Sequence, residues 1–202
     1  MLARMLALSL LLLEIRPAAA EFPEEFEATF IVSGSEKAEL EWHREDMVPI
    51  LNVIPGAIFG RPRADIVLPI SKGENSALTA PLSDWTELVN VIAIPLTEEY
   101  AQLGLQVEPD STKIARLGTF VYDGKHGVRI GGYLNELGEK SSLILIYVDA
   151  ACTIKGDIEV EGTTYHHEID IPAAGFHYLE ADNANHIRRA TPIEQVLFVT
   201  VH

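Results

Sequence analysis

The sequence predicts an all-β fold, an antiparallel β-sandwich with at most one short helix. Apolar and polar residues alternate with a period of two in several short segments, the pattern of a strand buried on one face. Turns containing glycine or proline separate these segments at regular spacing, as they do in sandwich folds. Two further runs are mostly apolar and short enough to be strands buried on both faces, 143–148 (LILIYV) and 196–201 (VLFVTV).

Residues 1–20 are predicted to be a signal peptide. Arg4 supplies a positively charged start, residues 6–13 (LALSLLLL) form a short apolar run, and Ala18–Ala20 provides the small residues that signal peptidase requires. The apolar run is too short to span a bilayer as a helix. We therefore expect a mature chain, residues 21–202, that is secreted or periplasmic and is not inserted in a membrane after cleavage.

Length and charge limit what the mature chain can be. Residues 21–202 fit one β-sandwich domain, or two sub-domains that meet near residues 98–113. The single cysteine, Cys152, excludes an intrachain disulfide, so the hydrophobic core must hold the fold together. The net charge of −15 comes without the clustered lysine and arginine that phosphate binding needs, which excludes nucleic acid as a partner.

In the N-terminal half, prolines limit the predicted strands to short lengths. These strands are 27–32, 38–42, 50–54, 66–70 and 88–94. Only Thr97–Leu103 (TEEYAQL) is predicted to be helical, because Thr97 suits the N-cap position and acidic residues follow in the first turn.

In the C-terminal half, two β-hairpins are predicted. The first joins strands 117–122 and 127–134 through a turn at 123–125. The second joins 153–160 (TIKGDIEV) and 163–171 through Glu161–Gly162. Alternation in the second hairpin directs Ile154, Ile158 and Val160 toward the core and Lys155, Asp157 and Glu159 toward solvent.

The strand 163–171 (TTYHHEIDI) carries the first candidate site. Alternation places His166, Glu168 and Asp170 on its outer face. His166 and Glu168 are candidate metal ligands, for zinc for example, but one strand cannot supply a closed tetrahedral set. The alternative is the ordinary polar surface of a solvated sheet.

Two histidines near this face are candidates for another role. His167 points inward among apolar neighbours, where a buried imidazole needs hydrogen bonds, so we expect it to be structural. His167 or His177 could instead act as the base of a hydrolase. No serine or cysteine nucleophile at a recognisable elbow accompanies them.

The loop between two later strands is the second candidate site. Glu180, Asp182 and Asn185 place oxygen atoms at spacings that resemble part of a calcium-binding loop. The spacing of an EF-hand, with its central glycine and final glutamate, is missing. Asparagine and aspartate also favour turns for purely local reasons.

Part of the chain resembles a loosely defined group of exported bacterial proteins with a transthyretin-like or immunoglobulin-like β-sandwich. Four stretches carry the resemblance: VYDG (121–124), GY (132–133), IYVDAACTIKG (146–156) and YHHEIDIPAAGFHYL (165–179). The group tends to close the last stretch with Gly-Trp-Asn, whereas this chain has Gly175-Phe176-His177. The resemblance covers about a third of the chain and implies no catalytic residues.

The resemblance does imply structural roles. Gly156 and Gly175 would permit a close approach of backbones or a turn. Tyr147 and Asp149 would tie a strand end, and Phe176 would fill the core.

The sequence thus predicts a non-enzymatic exported β-sandwich that acts as a binding or assembly module for a protein partner or a small ligand. The alternative is a protein that binds a metal (calcium or zinc) or a small ligand, with calcium as a cofactor at Glu180, Asp182 and Asn185 or a metal at His166 and Glu168.

Overall fold

The structure is a computed structural model that describes residues 23–33, 47–56, 67–74, 77–96, 101, 104–123, 128–136, 142–160, 162–190 and 195–200. The first strands are β1 (Phe26–Ser33), β2 (Met47–Pro55), β3 (Val67–Pro69), β4 (Ser71–Lys72), β5 (Ala77–Ala80) and β6 (Ile94–Pro95), and helix α1 spans Leu82–Ile92. The later strands are β7 (Gln106–Glu108), β8 (Lys113–Asp123), β9 (Val128–Glu136), β10 (Ser142–Val148), β11 (Cys152–Val160), β12 (Thr163–Ile171), β13 (Gly175–Ala181), β14 (His186–Ala190) and β15 (Gln195–Thr200).

The strands form an extended, strongly connected sheet. Within the described ranges the order is β4-β5-β1-β15-β9-β8-β10-β13-β14-β12-β11-β7, and β2 and β6 pair with β8 outside this path. Most pairings are antiparallel, while β1 with β15 and β12 with β14 are parallel. The predicted all-β, sandwich-like fold with one short helix is confirmed.

Two hydrophobic clusters lie on opposite faces of the middle strands. The first cluster joins β1, β2, β5 and α1 to one face of β8, β10 and β13. The second lies on the other face and is completed by β7, β11, β12 and β14. Strand β10 serves both, as its run of apolar residues predicts: Leu143, Leu145 and Tyr147 enter the first cluster, and Ile144, Ile146 and Val148 the second.

The second hairpin was predicted closely. Strands β11 and β12 pair antiparallel from Cys152 opposite Ile171 to Val160 opposite Thr163. Ile154 and Ile158 are buried, as expected. Val160, which was expected to face the core, is 39% exposed because it lies at the turn end of the hairpin, beyond the second cluster.

Helix α1 replaces a predicted strand, so the prediction for 88–94 was wrong. Leu82 and Val89 are fully buried and Trp85 and Ile92 pack beside them, which is the spacing of one helical face. The predicted strand 38–42 lies outside the described residues, as does the predicted helix 97–103 apart from Ala101. The signal peptide and the boundary near 98–113 stay predictions.

The chain just before β7 crosses β11 at a pair of glycines. Gly156 has φ +133°, and a Cβ at this position would overlap the carbonyl oxygen of Gly104. Gly104 has φ +99°, and its own Cβ would lie 3.0 Å from the carbonyl oxygen of Asp157. The expected close approach at Gly156 is therefore present, and a side chain on either glycine would push the two backbones apart.

Asp149 ties the end of β10 to the start of β8. The backbone N–H of Lys113 donates to Oδ1 of Asp149 at 2.7 Å, and the N–H of Asp149 donates to the carbonyl of Lys113 at 3.2 Å. Phe176 is buried and packs edge-on against Tyr147, with ring centroids 5.2 Å apart. The roles expected for Asp149 and Phe176 are thus both met.

The helix can be distinguished from the predicted strand by two alanine substitutions. Val89 and Val91 would share a face in a strand, but in α1 Val89 is fully buried and Val91 is 81% exposed. We expect Val89→Ala to lower the free energy of unfolding by about 2 kcal/mol, and Val91→Ala to change it by less than about 0.5 kcal/mol. Equal losses in urea unfolding would contradict the helix.

The glycine crossing can be tested against a glycine in open space. Gly162 also has positive φ, at +80°, but a Cβ there would meet nothing within 4 Å. Both alanine variants carry backbone strain, which is greater at φ +133° than at φ +80°, so their difference combines this strain with the overlap at the crossing. We expect Gly156→Ala to be less stable than Gly162→Ala by about 1–3 kcal/mol in urea unfolding, the usual cost of overpacking. Equal stability would mean that the two backbones separate freely.

Candidate functional site

The outer face of β11, β12 and β14 brings several of the predicted polar residues together on one side of the sheet. We define the outer face by its exposed side chains: Lys155, Asp157, Glu159, His166, Glu168, Asp170, His186 and Arg188. The residues that alternate with them, among them Ile154, Ile169 and Ile187, belong to the second hydrophobic cluster. The outer face is therefore a rigid polar sheet surface with a packed core directly beneath it.

Four side chains form a row across this face. Nδ1 of His166 on β12 donates to Oδ1 of Asp157 on β11 at 2.9 Å. His186 on β14 is the Cα partner of His166, and the two ring centroids are 5.4 Å apart. Nδ1 of His186 in turn donates to Oδ2 of Asp182 at 3.3 Å. The order across the sheet is thus carboxylate, imidazole, imidazole, carboxylate.

Local turn chemistry places the far end of this row. Oδ1 of Asp182 accepts the backbone N–H groups of Ala184 at 2.8 Å and of His186 at 2.9 Å. Asn185 adopts φ 61°, a left-handed conformation that asparagine tolerates better than most residues. These hydrogen bonds, first among them that from the N–H of His186, hold the pKa of Asp182 below its ordinary value.

The three predicted calcium ligands each take part in a hydrogen bond. Glu180 accepts a hydrogen bond from Nε of Arg188, its cross-strand partner on β14. Oδ1 of Asp182 is occupied by its own turn, and the carbonyl of Asn185 accepts the N–H of His166 at 2.9 Å. A calcium ion at this loop would have to displace these contacts, so the calcium site stays a prediction.

His166 and Glu168, the other predicted pair of metal ligands, lie on the same face of β12 but have different cross-strand partners. Glu168 lies opposite Lys155 in the β11–β12 register, a cross-strand pair of opposite charge, while His166 lies opposite Asp157. Within the described ranges, no group of three or more histidine, cysteine, aspartate or glutamate side chains is arranged to hold a metal ion.

The inward histidines have structural contacts. His167 is buried and its Nδ1 donates to the carbonyl of Gly156 at 3.2 Å, and His177 is buried with Nε2 donating to the carbonyl of Ala173 at 3.0 Å. Burial lowers the pKa of both imidazoles, which favours the neutral form. Burial also raises the pKa of the Cys152 thiol to about 11, with Asp149 adding to the effect, so this thiol is a poor nucleophile.

Sequence reasoning missed His186 and Asp157 as members of the row. Asp157 was correctly predicted to face solvent. Its position directly across from His166 follows from the register of the hairpin. His186 enters the row only through the parallel pairing of β12 with β14, which no local pattern in the sequence indicates.

Comparisons with protein-family models, with curated proteins and with solved structures each found no match to this chain. The resemblance described above therefore stays an expectation. Within the part of the chain that the structure describes, no helix is long and apolar enough to cross a membrane.

The buried imidazole of His177 predicts a dependence of stability on pH. Its pKa is lowered in the folded state, so the unfolded chain binds the proton more readily as pH falls below about 6.5. Stability should decrease as pH is lowered from 7 toward 5, and decrease less in His177→Gln, which keeps a donor for Ala173. Urea unfolding at several pH values measures this, and an unchanged slope in the variant would assign the acid sensitivity to other groups.

Proposed function

We propose that this chain is an exported, non-enzymatic β-sandwich that acts as a binding or assembly module, with the outer face as its binding surface. The observation that carries the proposal is the outer face itself, a polar, exposed plane on three strands whose reverse sides are packed into the second cluster. Such a surface is held in shape before any partner arrives, so little ordering is required on binding.

A non-enzymatic role is supported by the burial of the two inward histidines and of the cysteine. His167 and His177 are buried and donate to backbone carbonyls, and Cys152 is a buried thiol with a raised pKa. An enzyme would be expected to expose such groups together in a cleft, with their pKa values matched to the reaction.

Export is supported by the signal-peptide pattern and by the position of the first strand. Strand β1 begins at Phe26, shortly after the predicted cleavage site at Ala20, and Phe26 is fully buried in the first cluster. Removal of residues 1–20 would therefore leave β1 whole.

The charge of the outer face favours a basic protein partner. Asp157, Glu159, Glu168 and Asp170 contribute four carboxylates against the two cations Lys155 and Arg188, and the whole chain has a net charge of −15. Arg188 is already bonded to Glu180. Electrostatic complementarity would speed encounter with a surface rich in lysine or arginine and would fix its orientation.

An octalysine peptide is a suitable probe of this proposal. We expect its largest effects on backbone amide NMR signals in β11 and β12, weakened by added salt. Glu168→Lys should weaken binding at least threefold, because it reverses a charge at the centre of the outer face. Glu87→Lys, on the exposed side of α1, makes the same change in net charge and is the matched control. Equal losses in both variants, or signal changes spread over the whole surface, would contradict a localised binding face.

A further inference from the structure

The pair of imidazoles at the centre of the outer face has the arrangement of metal ligands. In metalloproteins a ligating histidine almost always donates its second ring N–H to a carboxylate, a carbonyl or water, which fixes the tautomer and the ring orientation. His166 and His186 both have such a partner, Asp157 and Asp182 respectively, and in each case the carboxylate is bonded to Nδ1. In the neutral form each ring is then the Nδ1–H tautomer, with the lone pair on Nε2.

The two carboxylates lie on the outer sides of the pair. Asp157 is on β11, and β12 separates it from β14; Asp182 precedes the turn that leads from β13 into β14. Each Nδ1 is thus bonded on the side away from the other imidazole. Because the Nε2 lone pair of an imidazole diverges widely from its Nδ1–H bond, a ligand between β12 and β14 could reach Nε2 of both rings.

The separation of the rings fits one shared ion. For two imidazoles bound through nitrogen at about 2.1 Å from a tetrahedral ion, the ring centroids are expected to be about 5 Å apart. The observed separation is 5.4 Å, with the ring planes tilted by 49°.

The backbone around the pair is fixed from both sides. His166 and His186 are Cα partners in the parallel β12–β14 ladder. The N–H of His166 donates to the carbonyl of Asn185, and the N–H of His186 donates to Asp182. The same aspartate therefore positions both the backbone and the ring of His186, which leaves little to be ordered when an ion binds.

The ligand type selects the class of metal. Imidazole nitrogen suits zinc, copper and nickel, whereas calcium and magnesium require a shell of oxygen ligands. Two protein ligands leave the remaining positions to water or to a group from a partner, so the site would be open and its ion exchangeable.

We propose that His166 and His186 form a two-imidazole site for a divalent transition-metal ion, zinc or copper, with Asp157 and Asp182 as positioning residues. This inference does not depend on the proposed binding of a basic partner. A metal bound here would sit in the middle of the outer face, where it could also accept a ligand from whatever docks there.

The test is titration of the purified full chain with zinc chloride, followed by calorimetry and by NMR of the imidazole nitrogens. We expect saturable binding, weaker than at four-ligand structural sites, with the Nε2 signals of His166 and His186 shifting together. His166→Ala and His186→Ala should each lower affinity at least tenfold. Glu87→Gln removes an exposed carboxylate on α1, outside the outer face, and should change affinity less than twofold.

The positioning role has its own readout. Asp157→Ala should lower zinc affinity about tenfold, the usual size of such an effect, while Asp157→Asn, which keeps an acceptor for Nδ1–H, should retain most of it. Circular dichroism without metal verifies that each variant is folded.

Three results would overturn the proposal: no saturable binding up to about 1 mM zinc; an equal loss of affinity in Glu87→Gln; or displacement of zinc by an equal concentration of calcium. The octalysine titration is read separately, so failure of the metal site and failure of the binding module are distinguishable.

Discussion

The burial of β10 on both faces is the constraint on which the rest of the fold depends. Its side chains alternate between the two hydrophobic clusters, so each cluster is built against the same backbone. A strand that is apolar on both faces is a poor guide to its own register, because a shift by one residue exchanges one apolar set for another. Polar contacts must therefore fix the register, and the paired hydrogen bonds between Asp149 and Lys113 at the end of β10 are placed to do so.

The first cluster covers only part of the sheet, and this determines where the outer face lies. On β10 and β13 both sides are buried, whereas on β11, β12 and β14 only the side toward the second cluster is. The outer face is thus the area that the N-terminal strands and α1 leave uncovered. The histidine pair joins the middle strand of this face, β12, to β14, which is the direct neighbour of the covered strand β13.

Features that depend on contacts between residues close in sequence could be predicted, whereas those that depend on contacts between distant segments could not. The boundaries and faces of β11 and β12 could be predicted because polar and apolar residues alternate along both strands of this half-buried hairpin. Helix α1 was misread because residues 88–94 (LVNVIAI) are almost all apolar and rich in β-branched residues, as in a buried strand, and because Pro81 at the start of the helix offers no side-chain cap. In the candidate site His166 was identified, but its neighbour His186 was not, since parallel pairing joins segments that no turn connects. Asp182 was chosen as a metal ligand, and in the structure it organises a turn and orients an imidazole.

The parallel pairing of β1 with β15 has a consequence for the order of events during synthesis. In the described sheet, β4, β5 and β1 are linked along the strand path to β9 and β8 only through β15, the last of the described strands. The group β4, β5 and β1 therefore cannot join the rest of the described sheet until β15 has been made, and pairings of such long range form late. We propose that this chain is exported. The late pairing of β15 would keep the amino-terminal strands apart from the rest of the sheet until synthesis has reached β15.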